Sequence, residues 1–267
     1  MTPGRQRLDQ ILVDRGLAET RSKAQAIIMS GLVFSGERKL DKAGEQLKAD
    51  VPIEVRQSGP GWVSRGALKL IEGLDRFAID PGGLVCLDVG ASTGGFTEVL
   101  LSRGAARVYA VDVGYGQLAQ KLRDDPRVVN LERTNARHLT SAQVPEPVAL
   151  LVCDASFIGL STVLPAPLTL CAPDAWLVVL IKPQFEVGPG RVGKGGVVRD
   201  PALHEEVCAH YRHWFMAQGW QVAGIVRSPI TGPAGNVEFL LAARRSVGSA
   251  SIDPERGRGE TVSEDRA

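Results

Sequence analysis

The chain has 267 residues, a formal net charge of +1 at pH 7 and a hydrophobic content of 44%. This length predicts one large domain, or one domain plus a small module, and the hydrophobic content is sufficient for a packed core. Because the charges nearly balance, net charge gives no indication of nucleic-acid binding. Any basic surface must therefore be a local patch.

Composition also favours a particular compartment. The four cysteines lie in apolar runs without a C-x-x-C pair, which predicts buried thiols in a reducing environment. The chain does not open with a charged segment followed by an apolar one, so we expect no signal peptide. The longest apolar run, residues 175–181, is much shorter than the roughly 20 residues of a membrane span. The sequence thus predicts a cytoplasmic protein without a membrane-spanning segment.

The first sixty residues predict a small α+β module. Residues 7–15 form a predicted helix with Leu8, Ile11 and Leu12 on one face. A second helix is predicted to start after Thr20 as its N-cap and to end at Gly31. Short strands are predicted at residues 32–34 and 51–55. So small a core is more typical of an appended module than of an enzyme.

Basic residues surround these two helices, interleaved with acidic ones. By charge alone, the pattern favours a solvated surface of mixed charge. The order of residues, however, resembles the S-four-like RNA-binding module first seen in a small-subunit ribosomal protein. The matching segments are Arg-Leu-Asp at 7–9, Leu-Val-Asp-Arg-Gly-Leu at 12–17, Thr-Arg-Ser-Lys-Ala at 20–24 and Ile-Met-Ser-Gly-Leu-Val at 28–33.

This resemblance implies that basic side chains of the module face an RNA backbone. Arg21 and Lys23 are the leading candidates for phosphate contacts, which position RNA without reading its sequence. The chain has Ser35-Gly36 where the family usually has Asn-Gly after the first strand. The predicted RNA-binding residues are Arg5, Arg7, Arg15, Arg21, Lys23 and Arg65.

The sequence predicts four segments. Residues 1–56 are the RNA-binding module, and residues 57–63, rich in turn formers, are a linker. Residues 64–245 form the main domain. Residues 246–267 contain mostly Ser, Gly, Arg and acidic residues, which predicts a disordered tail.

A helix is predicted from Ser64, as its cap, to about Phe77. Lys69 lies in this helix but off the predicted apolar face, so the simplest interpretation is a solvated lysine. Further along, residues 84–87 predict a buried strand and residues 96–101 a helix, joined by a glycine-rich turn. Such a turn lets a ligand approach the backbone.

The glycine-rich turn lacks one feature of a dinucleotide site. The G-x-G-x-x-G fingerprint needs glycine at position 92, where the chain has Ser92, and that glycine admits the pyrophosphate. The turn instead resembles the first motif of the S-adenosylmethionine-dependent methyltransferases, acidic-x-Gly-x-x-x-Gly-Gly, whose cofactor has no phosphate. An ordinary strand–turn–helix remains the alternative. The implied cofactor-binding residues are Asp88, Gly90, Ser92, Thr93, Gly94, Gly95 and Phe96.

Strand and helix signals alternate through the main domain, which predicts a mainly parallel sheet. The fold class is therefore α/β, a Rossmann-like methyltransferase sheet with helices on both faces, preceded by the small α+β module. Strands are predicted at residues 107–112, 128–131, 148–153 and 176–181. Asp112 ends one of them about twenty residues after the glycine turn, where an acidic residue can accept both hydroxyls of an adenosine ribose. It could also be a simple turn residue.

Asn135, with Ala136 beside it, is a candidate for the adenine edge, although asparagine after a strand often only forms a turn. Asp154 and Lys182 end two further strands, where ligands of open α/β sheets bind. Solvent capping of each strand would explain either residue alone. Two opposite charges on adjacent strands favour a site, and Asp154 is also a candidate cofactor contact.

The remainder of the main domain predicts a glycine-rich loop at residues 188–196, either a mobile loop that contacts RNA or a plain connection. Asp200 and Pro201 predict the start of a long helix that ends at Gly219. Its three histidines lack metal-ligand spacing, so no metal site is predicted. A final strand pair is predicted at residues 220–226 and 236–241. Glu238 lies inside the last strand and needs a cation, from Lys182 or Lys69.

A second resemblance connects these charged residues. Ser64-Arg65-Gly66-Ala67-Leu68-Lys69-Leu70 resembles the Ser-Arg-x-x-x-Lys-Leu segment of the FtsJ-like ribose methyltransferases, where the lysine opens a Lys-Asp-Lys-Glu catalytic set. Lys69, Asp154, Lys182 and Glu238 complete that set here. Lys-Pro-Gln-Phe-Glu at 182–186 and the N-terminal module extend the resemblance to the TlyA family, the haemolysin-A-like ribosomal RNA methyltransferases.

The TlyA resemblance implies that S-adenosylmethionine is the cofactor and that ribosomal RNA or a ribosomal subunit is the partner. The implied acceptor is a cytidine 2'-hydroxyl, which is a poor nucleophile without a base. Lys182 is the candidate base, with Asp154 and Glu238 to orient it and Lys69 to position the hydroxyl. No metal is needed.

Three other functions are alternatives to methylation of a ribose hydroxyl. A base amino-methyltransferase usually has N/D-P-P-Y where this chain has Asp-Ala-Ser-Phe at 154–157. A non-catalytic RNA-binding protein would show no methyl transfer to ribosomal RNA. A pore-forming haemolysin needs a spanning segment or a strongly amphipathic basic helix, and the sequence predicts neither.

Overall fold

The computed structural model describes residues 5–36, 38–55 and 61–245. The tail predicted at 246–267 and most of the linker predicted at 57–63 lie outside the described residues, and both stay predictions.

Residues 5–55 contain two helices packed on short antiparallel strands. The elements are β1 (Arg5–Arg7), α1 (Leu8–Asp14), α2 (Arg21–Met29), β2 (Val33–Ser35), β3 (Arg38–Lys39), β4 (Gln46–Lys48) and β5 (Glu54–Val55). Strand β1 pairs with β4, and β2 lies between β3 and β5. Leu8, Ile11, Leu12 and Ile28 are buried in a core of their own, because the apolar stripes of both helices face inward.

Both predicted helices of this unit are confirmed. The Thr20 side chain accepts a hydrogen bond from the Lys23 backbone N–H at 3.2 Å, so Thr20 is the N-cap of α2. The strand predictions were less accurate. Strands β1, β3 and β4 were missed, and only Glu54–Val55 of the predicted 51–55 is a strand. These strands have two or three residues, too few to show an alternating pattern.

Residues 61–245 form a seven-stranded sheet in the order β11-β12-β10-β9-β6-β7-β8. The strands are β6 (Val85–Val89), β7 (Arg107–Val111), β8 (Val128–Leu131), β9 (Val148–Cys153), β10 (Cys171–Ile181), β11 (Trp220–Arg227) and β12 (Phe239–Arg245). The five strands from β10 to β8 are parallel, and β12 pairs antiparallel with both β10 and β11.

Helices cover both faces of this sheet. They are α3 (Gly66–Arg76), α4 (Gly95–Ser102), α5 (Gln120–Arg123), α6 (Leu160–Val163), α7 (Pro165–Thr169), α8 (Pro183–Glu186) and α9 (Pro201–Ala217), with 3-10 turns at Ala136–His138, Pro189–Arg191 and Lys194–Gly196. Successive residues of β10 enter opposite cores. Val178 packs in one core with Leu70 of α3, and Val179 packs in the other with Phe215 of α9. The predicted α/β class is confirmed.

Several boundaries in this unit differ from the predictions, and β10 begins at Cys171 rather than at residue 176. Ser64 is not the cap of α3, which begins at Gly66 after Arg65, and the Ser64 side chain is buried instead. Strand β12 begins at Phe239, so Glu238 precedes the strand rather than lying inside it. The Glu238 carbonyl still accepts the Ser228 N–H at 2.9 Å, which holds the residue at the strand entrance.

The chain crosses from β8 back to β9, which lies on the other side of β6. The neighbours β6 and β9 therefore flank the point where the strand order reverses. In open α/β sheets, ligands bind in the crevice outside the carboxyl ends of such strands. This topology predicts the position of the site before any side chain is considered.

Candidate active site

A cavity of about 730 Å³ opens at the carboxyl ends of β6, β9 and β10. The glycine turn, Asp154, Lys182 and Glu238 line it from the sheet side. Residues of α2 in the N-terminal unit, including Gln25 and Met29, line it from the opposite side. The cavity is thus shared by the two parts of the chain.

The glycine turn after β6 is shaped by close packing. Gly94 has φ of 97°, and a Cβ there would lie 2.2 Å from Leu122 Cδ1. A Cβ on Gly90 would lie 2.9 Å from the backbone of Ala155, which belongs to the segment after β9. Both positions therefore need glycine because other parts of the protein approach the turn, whether or not a ligand is bound.

Four N–H groups of this turn, those of Gly90, Ala91, Ser92 and Gly94, are already used within the protein. Those of Gly90 and Ala91 donate to Val111 O at 2.9 and 3.1 Å. The Gly94 N–H donates to Ala91 O at 2.8 Å, and the Ser92 N–H donates to Asp112 Oδ2 at 2.8 Å. A pyrophosphate bound here would need such groups free. The geometry therefore agrees with a cofactor that has no phosphate.

Two acidic side chains lie beside the turn, Asp112 as a carboxylate and Asp88 as a fully buried carboxyl group. Asp112 accepts hydrogen bonds from Ser92 and, at 2.7 Å, from the Gly114 N–H, and each of its oxygens keeps acceptor capacity for a ribose hydroxyl. Asp88 is fully buried, and its Oδ2 accepts from Thr97 Oγ1 at 2.7 Å. Burial raises the pKa of Asp88 to about 7. Hydroxyl groups and positive charges suit this environment better than phosphates do.

The predicted cofactor residues divide into two groups. Gly90, Ser92, Thr93, Gly95 and Phe96 line the cavity, as does Asp154. Five others do not line it, namely Asp88, Gly94, Asp112, Asn135 and Ala136. The Asn135 side chain accepts from the Arg137 N–H at 3.1 Å and caps a 3-10 turn, and Ala136 packs into the hydrophobic core. The alternative of a turn-forming asparagine therefore describes the structure better than a side-chain contact with adenine.

The four predicted catalytic residues meet at the floor of the cavity. Lys69 Nζ lies 2.6 Å from Glu238 Oε2 and 3.6 Å from Asp154 Oδ2, and Lys182 Nζ lies 2.6 Å from Asp154 Oδ1. The charges alternate along this row of Glu238, Lys69, Asp154 and Lys182. The structure pairs Glu238 with Lys69, so the prediction that Glu238 orients Lys182 was wrong.

Burial sets the electrostatics of this row. Lys69 is 7% exposed, so the expectation of a solvated lysine off the apolar face was also wrong. Burial alone would lower the pKa of Lys69, but the carboxylates of Asp154 and Glu238 outweigh it and the net shift is upward. Burial would raise the pKa of Asp154, but the ammonium groups of Lys182 and Lys69 outweigh it and the net shift is downward. Both groups therefore stay charged at neutral pH.

Most of the predicted RNA-binding residues already have partners. Arg7 and Arg21 pair with the buried Asp9 at 2.9 and 3.1 Å, and Lys23 pairs with Glu19. Arg15 donates to the Ala49 carbonyl at 2.6 Å, and Arg5 is exposed.

Arg65 differs because it lines the cavity, and its Nε is buried without a hydrogen-bond partner among the described residues. It is thus the one member of the predicted RNA-binding set that lies beside the row of four charges.

The glycine-rich loop predicted at 188–196 contains two 3-10 turns. Gly195 and Gly196 line the cavity, which places this loop at the site. The long helix α9 has its predicted cap, since Asp200 Oδ1 accepts from the Ala202 N–H at 2.9 Å. The described ranges contain no cluster of His, Cys, Asp and Glu suited to a metal ion, and all four cysteines are free thiols.

Three side chains at the cavity were not singled out from the sequence. Ser156 Oγ accepts a hydrogen bond from Lys182 Nζ at 2.8 Å. Phe157 is 79% exposed at a positive φ of 65°, and its ring centroid lies 5.1 Å from that of Phe185. The sequence could have indicated these residues by their position shortly after Asp154 and Lys182, the charged residues that end two strands. Residues that follow neighbouring parallel strands reach the same edge of the sheet.

Comparison with known proteins agrees with this geometry. A model of FtsJ-like methyltransferases matches residues 62–245, and a model of the S4 domain matches residues 6–53. The chain is 50% identical over 247 residues to the 16S/23S rRNA (cytidine-2'-O)-methyltransferase TlyA of Mycobacterium tuberculosis, which covers 92% of each chain. It is 40% identical over 235 residues to hemolysin A of Brachyspira hyodysenteriae, which covers 88% of this chain and 98% of that one.

A solved structure of a Streptococcus thermophilus protein described as a hemolysin matches with a TM-score of 0.71 and 37% identity, covering 91% of this chain and 90% of that one. The order of the strands in the sheet, the glycine turn after β6 and the row of four charged residues together define a methyltransferase of the Rossmann-like class. Within that class, the chain belongs to the TlyA family of FtsJ-like methyltransferases, in which an S4 domain precedes the catalytic fold.

The cofactor is S-adenosylmethionine, as family membership implies. The acidic surroundings of the turn can accommodate its hydroxyl groups and its positive charge. The predicted domain boundaries stay predictions. Within the described ranges, no helix combines the length and the apolar character needed to cross a bilayer.

Proposed function

We propose that the protein transfers a methyl group from S-adenosylmethionine to the 2'-hydroxyl of a cytidine in ribosomal RNA, as free RNA or within a ribosomal subunit in the cytoplasm. The observation that carries this proposal is the row of Glu238, Lys69, Asp154 and Lys182 at the cavity floor. The name of the Mycobacterium tuberculosis relative and the S4 domain support the choice of substrate.

The reaction needs a base because a ribose hydroxyl is scarcely ionised at neutral pH. Bound S-adenosylmethionine supplies an electrophilic methyl group on a sulfonium. The protein must then remove the hydroxyl proton as the oxygen attacks. Of the two lysines in the row, Lys69 is the weaker candidate, because two carboxylates raise its pKa and keep it protonated. Lys182 is therefore assigned as the base.

The other members of the row hold the acceptor and the base in place. Glu238 and Asp154 fix the Lys69 ammonium at the cavity, where it donates to the acceptor hydroxyl and screens the charge that develops on its oxygen. Asp154 lies between the two lysines and orients Lys182. Asp112 is assigned to the cofactor ribose, and Arg65 to an RNA phosphate beside the site.

The test is Lys182→Ala in a methyl-transfer assay with radiolabelled S-adenosylmethionine and ribosomal RNA or subunits. We expect transfer to fall by about 10² to 10⁴, the usual contribution of general acid–base catalysis. Cofactor affinity, measured by calorimetry with S-adenosylhomocysteine, should stay within a few-fold of wild type. Mapping the methylated nucleotide by primer extension identifies the acceptor.

The matched control is Arg103→Ala, which removes a cation that pairs with Asp75 on the surface. It should methylate at the wild-type rate. Full activity in Lys182→Ala would contradict the assignment of the base, and the absence of transfer to any ribosomal RNA by the wild-type protein would contradict the proposed function.

A further inference from the structure

Three oxygens surround the Lys182 ammonium. Asp154 contributes two of them, its Oδ1 at 2.6 Å and its backbone carbonyl at 3.0 Å from Nζ. Ser156 contributes the third, its Oγ, at 2.8 Å. The Asp154 backbone carbonyl and Ser156 Oγ accept hydrogen bonds from the ammonium, and Asp154 Oδ1 forms an ion pair with it.

The three oxygens differ in what they can do once Lys182 is neutral. A neutral amine has two N–H donors and one lone pair, and the lone pair must face a group that can donate a proton. The carbonyl and the ionised carboxylate of Asp154 can only accept. The Ser156 hydroxyl can rotate and donate. Of the three oxygens, Ser156 Oγ is therefore the one that can pass a proton to the lone pair of neutral Lys182.

The exposure of the two side chains also favours transfer of the proton through Ser156. Both residues line the cavity, but Lys182 is only 5% exposed, whereas Ser156 is exposed. Lys69, the residue assigned to the acceptor hydroxyl, lines the same cavity. An acceptor placed there meets the Ser156 hydroxyl before it meets the buried amine. No hydrogen bond donated by Ser156 Oγ to another described residue occupies its proton.

We propose that Ser156 relays the proton of the acceptor hydroxyl to Lys182. This inference rests on the proposed function, since it takes Lys182 as the base. As the new O–CH₃ bond forms, the acceptor O–H proton moves to Ser156 Oγ, and the Ser156 proton moves to Lys182 Nζ. Serine ends the step as a neutral hydroxyl and lysine as an ammonium, and the methyl donor leaves as a neutral thioether.

The test compares wild type with Ser156→Ala and Ser156→Thr in single-turnover methyl transfer at saturating cofactor. Ser156→Ala removes the relay, and we expect its rate to fall by about 10- to 100-fold, with RNA and S-adenosylhomocysteine affinities unchanged within about two-fold. Ser156→Thr keeps the hydroxyl and should recover at least about a third of the wild-type rate.

Rates in mixtures of H₂O and D₂O provide the readout that a purely structural role would not move. Two protons move together in the relay, so the wild-type rate should depend on the deuterium fraction along a curve. In Ser156→Ala the acceptor proton moves directly to Lys182 as a single proton, so the plot for this variant should be a straight line. Identical plots for the two proteins, or a wild-type rate in Ser156→Ala, would overturn the relay.

The two proposals fail in different ways. If Lys182→Ala keeps its activity, the assignment of the base fails, and the relay fails with it. If Lys182→Ala is inactive while Ser156→Ala behaves as wild type, only the relay fails. In that case the acceptor hydroxyl displaces Ser156 and contacts Lys182 directly.

Discussion

The two parts of the chain each contain an aspartate held by two cations, and the two arrangements differ in which partner is buried. In the N-terminal unit, Asp9 is fully buried, whereas Arg7 and Arg21 are 45% and 52% exposed. In the catalytic unit, Asp154 lies between Lys69 and Lys182, whose side chains are only 8% and 6% exposed.

This difference separates a structural role from a chemical one. Exposed guanidinium groups keep much of their hydration, so Asp9 is the one charged group of this cluster that burial desolvates fully, and the cluster joins the start of α1 to the start of α2. The Arg7 guanidinium holds the pKa of Asp9 well below its usual range. Burying two ammonium groups costs several kcal/mol per ion before their pairing is counted. The catalytic unit tolerates this cost where the charges face the cavity.

The largest expected effect is that of Asp154→Ala, which leaves two buried ammonium groups without their shared counter-ion. We expect methyl transfer to fall by at least about 10² and the free energy of unfolding to fall by about 3–5 kcal/mol. Radiolabelled transfer and urea unfolding measure the two losses.

The matched variant is Asp9→Ala, which removes the corresponding carboxylate from the N-terminal unit. Its two arginines can turn to solvent, so the loss of stability should be smaller and confined to residues 5–55. Hydrogen exchange should locate it there, and S-adenosylhomocysteine affinity should not change. An Asp9→Ala protein that loses cofactor affinity as Asp154→Ala loses activity would contradict the distinction between the two clusters.

The comparison also shows what the sequence could predict. Strand β9 has the predicted bounds because it is a continuous apolar run, and β8 has them although it contains Asn130. The short strands around the Asp9 cluster, such as β3 and β4, are too brief and too polar to be recognised. The local residue pattern is sufficient to predict a strand that is buried on both faces. It is not sufficient to predict the short, partly exposed strands of the small N-terminal unit.

The candidate site was predicted in part. Family resemblance selected the four charged residues, but helical periodicity placed Lys69 on a solvated face. Its partner Glu238 is 169 positions away in the chain, and no local pattern contains that pairing. Ser156 was missed because one serine after a strand carries no signal of its own until the Lys182 ammonium is seen beside it.

Asp88 is a third acidic side chain, and unlike Asp9 and Asp154 it is buried without a cationic partner among the described residues. Its burial should therefore make the stability of the protein depend on pH. Its pKa is raised to about 7 by burial, from about 4 in an unfolded chain. The folded state therefore holds a proton that the unfolded state releases, and the stability contributed at low pH is lost as pH rises from about 4 to about 7. The loss is at most about 4 kcal/mol.

Asp88→Asn should remove this dependence, since an amide oxygen can still accept from Thr97 Oγ1. Urea unfolding at pH 5, 6, 7 and 8 should show the variant gaining on wild type as pH rises. Parallel stability curves would show that Asp88 is ionised throughout this range. Asp9 should behave in the opposite sense, because its lowered pKa stabilises the fold above about pH 4 and the stabilisation is lost in acid.

The smallest expected effect tests how far the N-terminal unit stands apart from the catalytic one. Thr20→Ala removes the oxygen that accepts the Lys23 N–H at the start of α2, one residue before Arg21 of the Asp9 cluster. We expect the free energy of unfolding to fall by about 1 kcal/mol, and Thr20→Ser should largely restore it.

Because α2 also lines the cavity through Gln25 and Met29, fraying of its first turn should weaken RNA binding slightly more than cofactor binding. Filter binding of ribosomal RNA and calorimetry with S-adenosylhomocysteine measure the two affinities. Equal losses of both would mean that α2 supports the cofactor site directly, and the two units would then have to be treated as one cooperative structure.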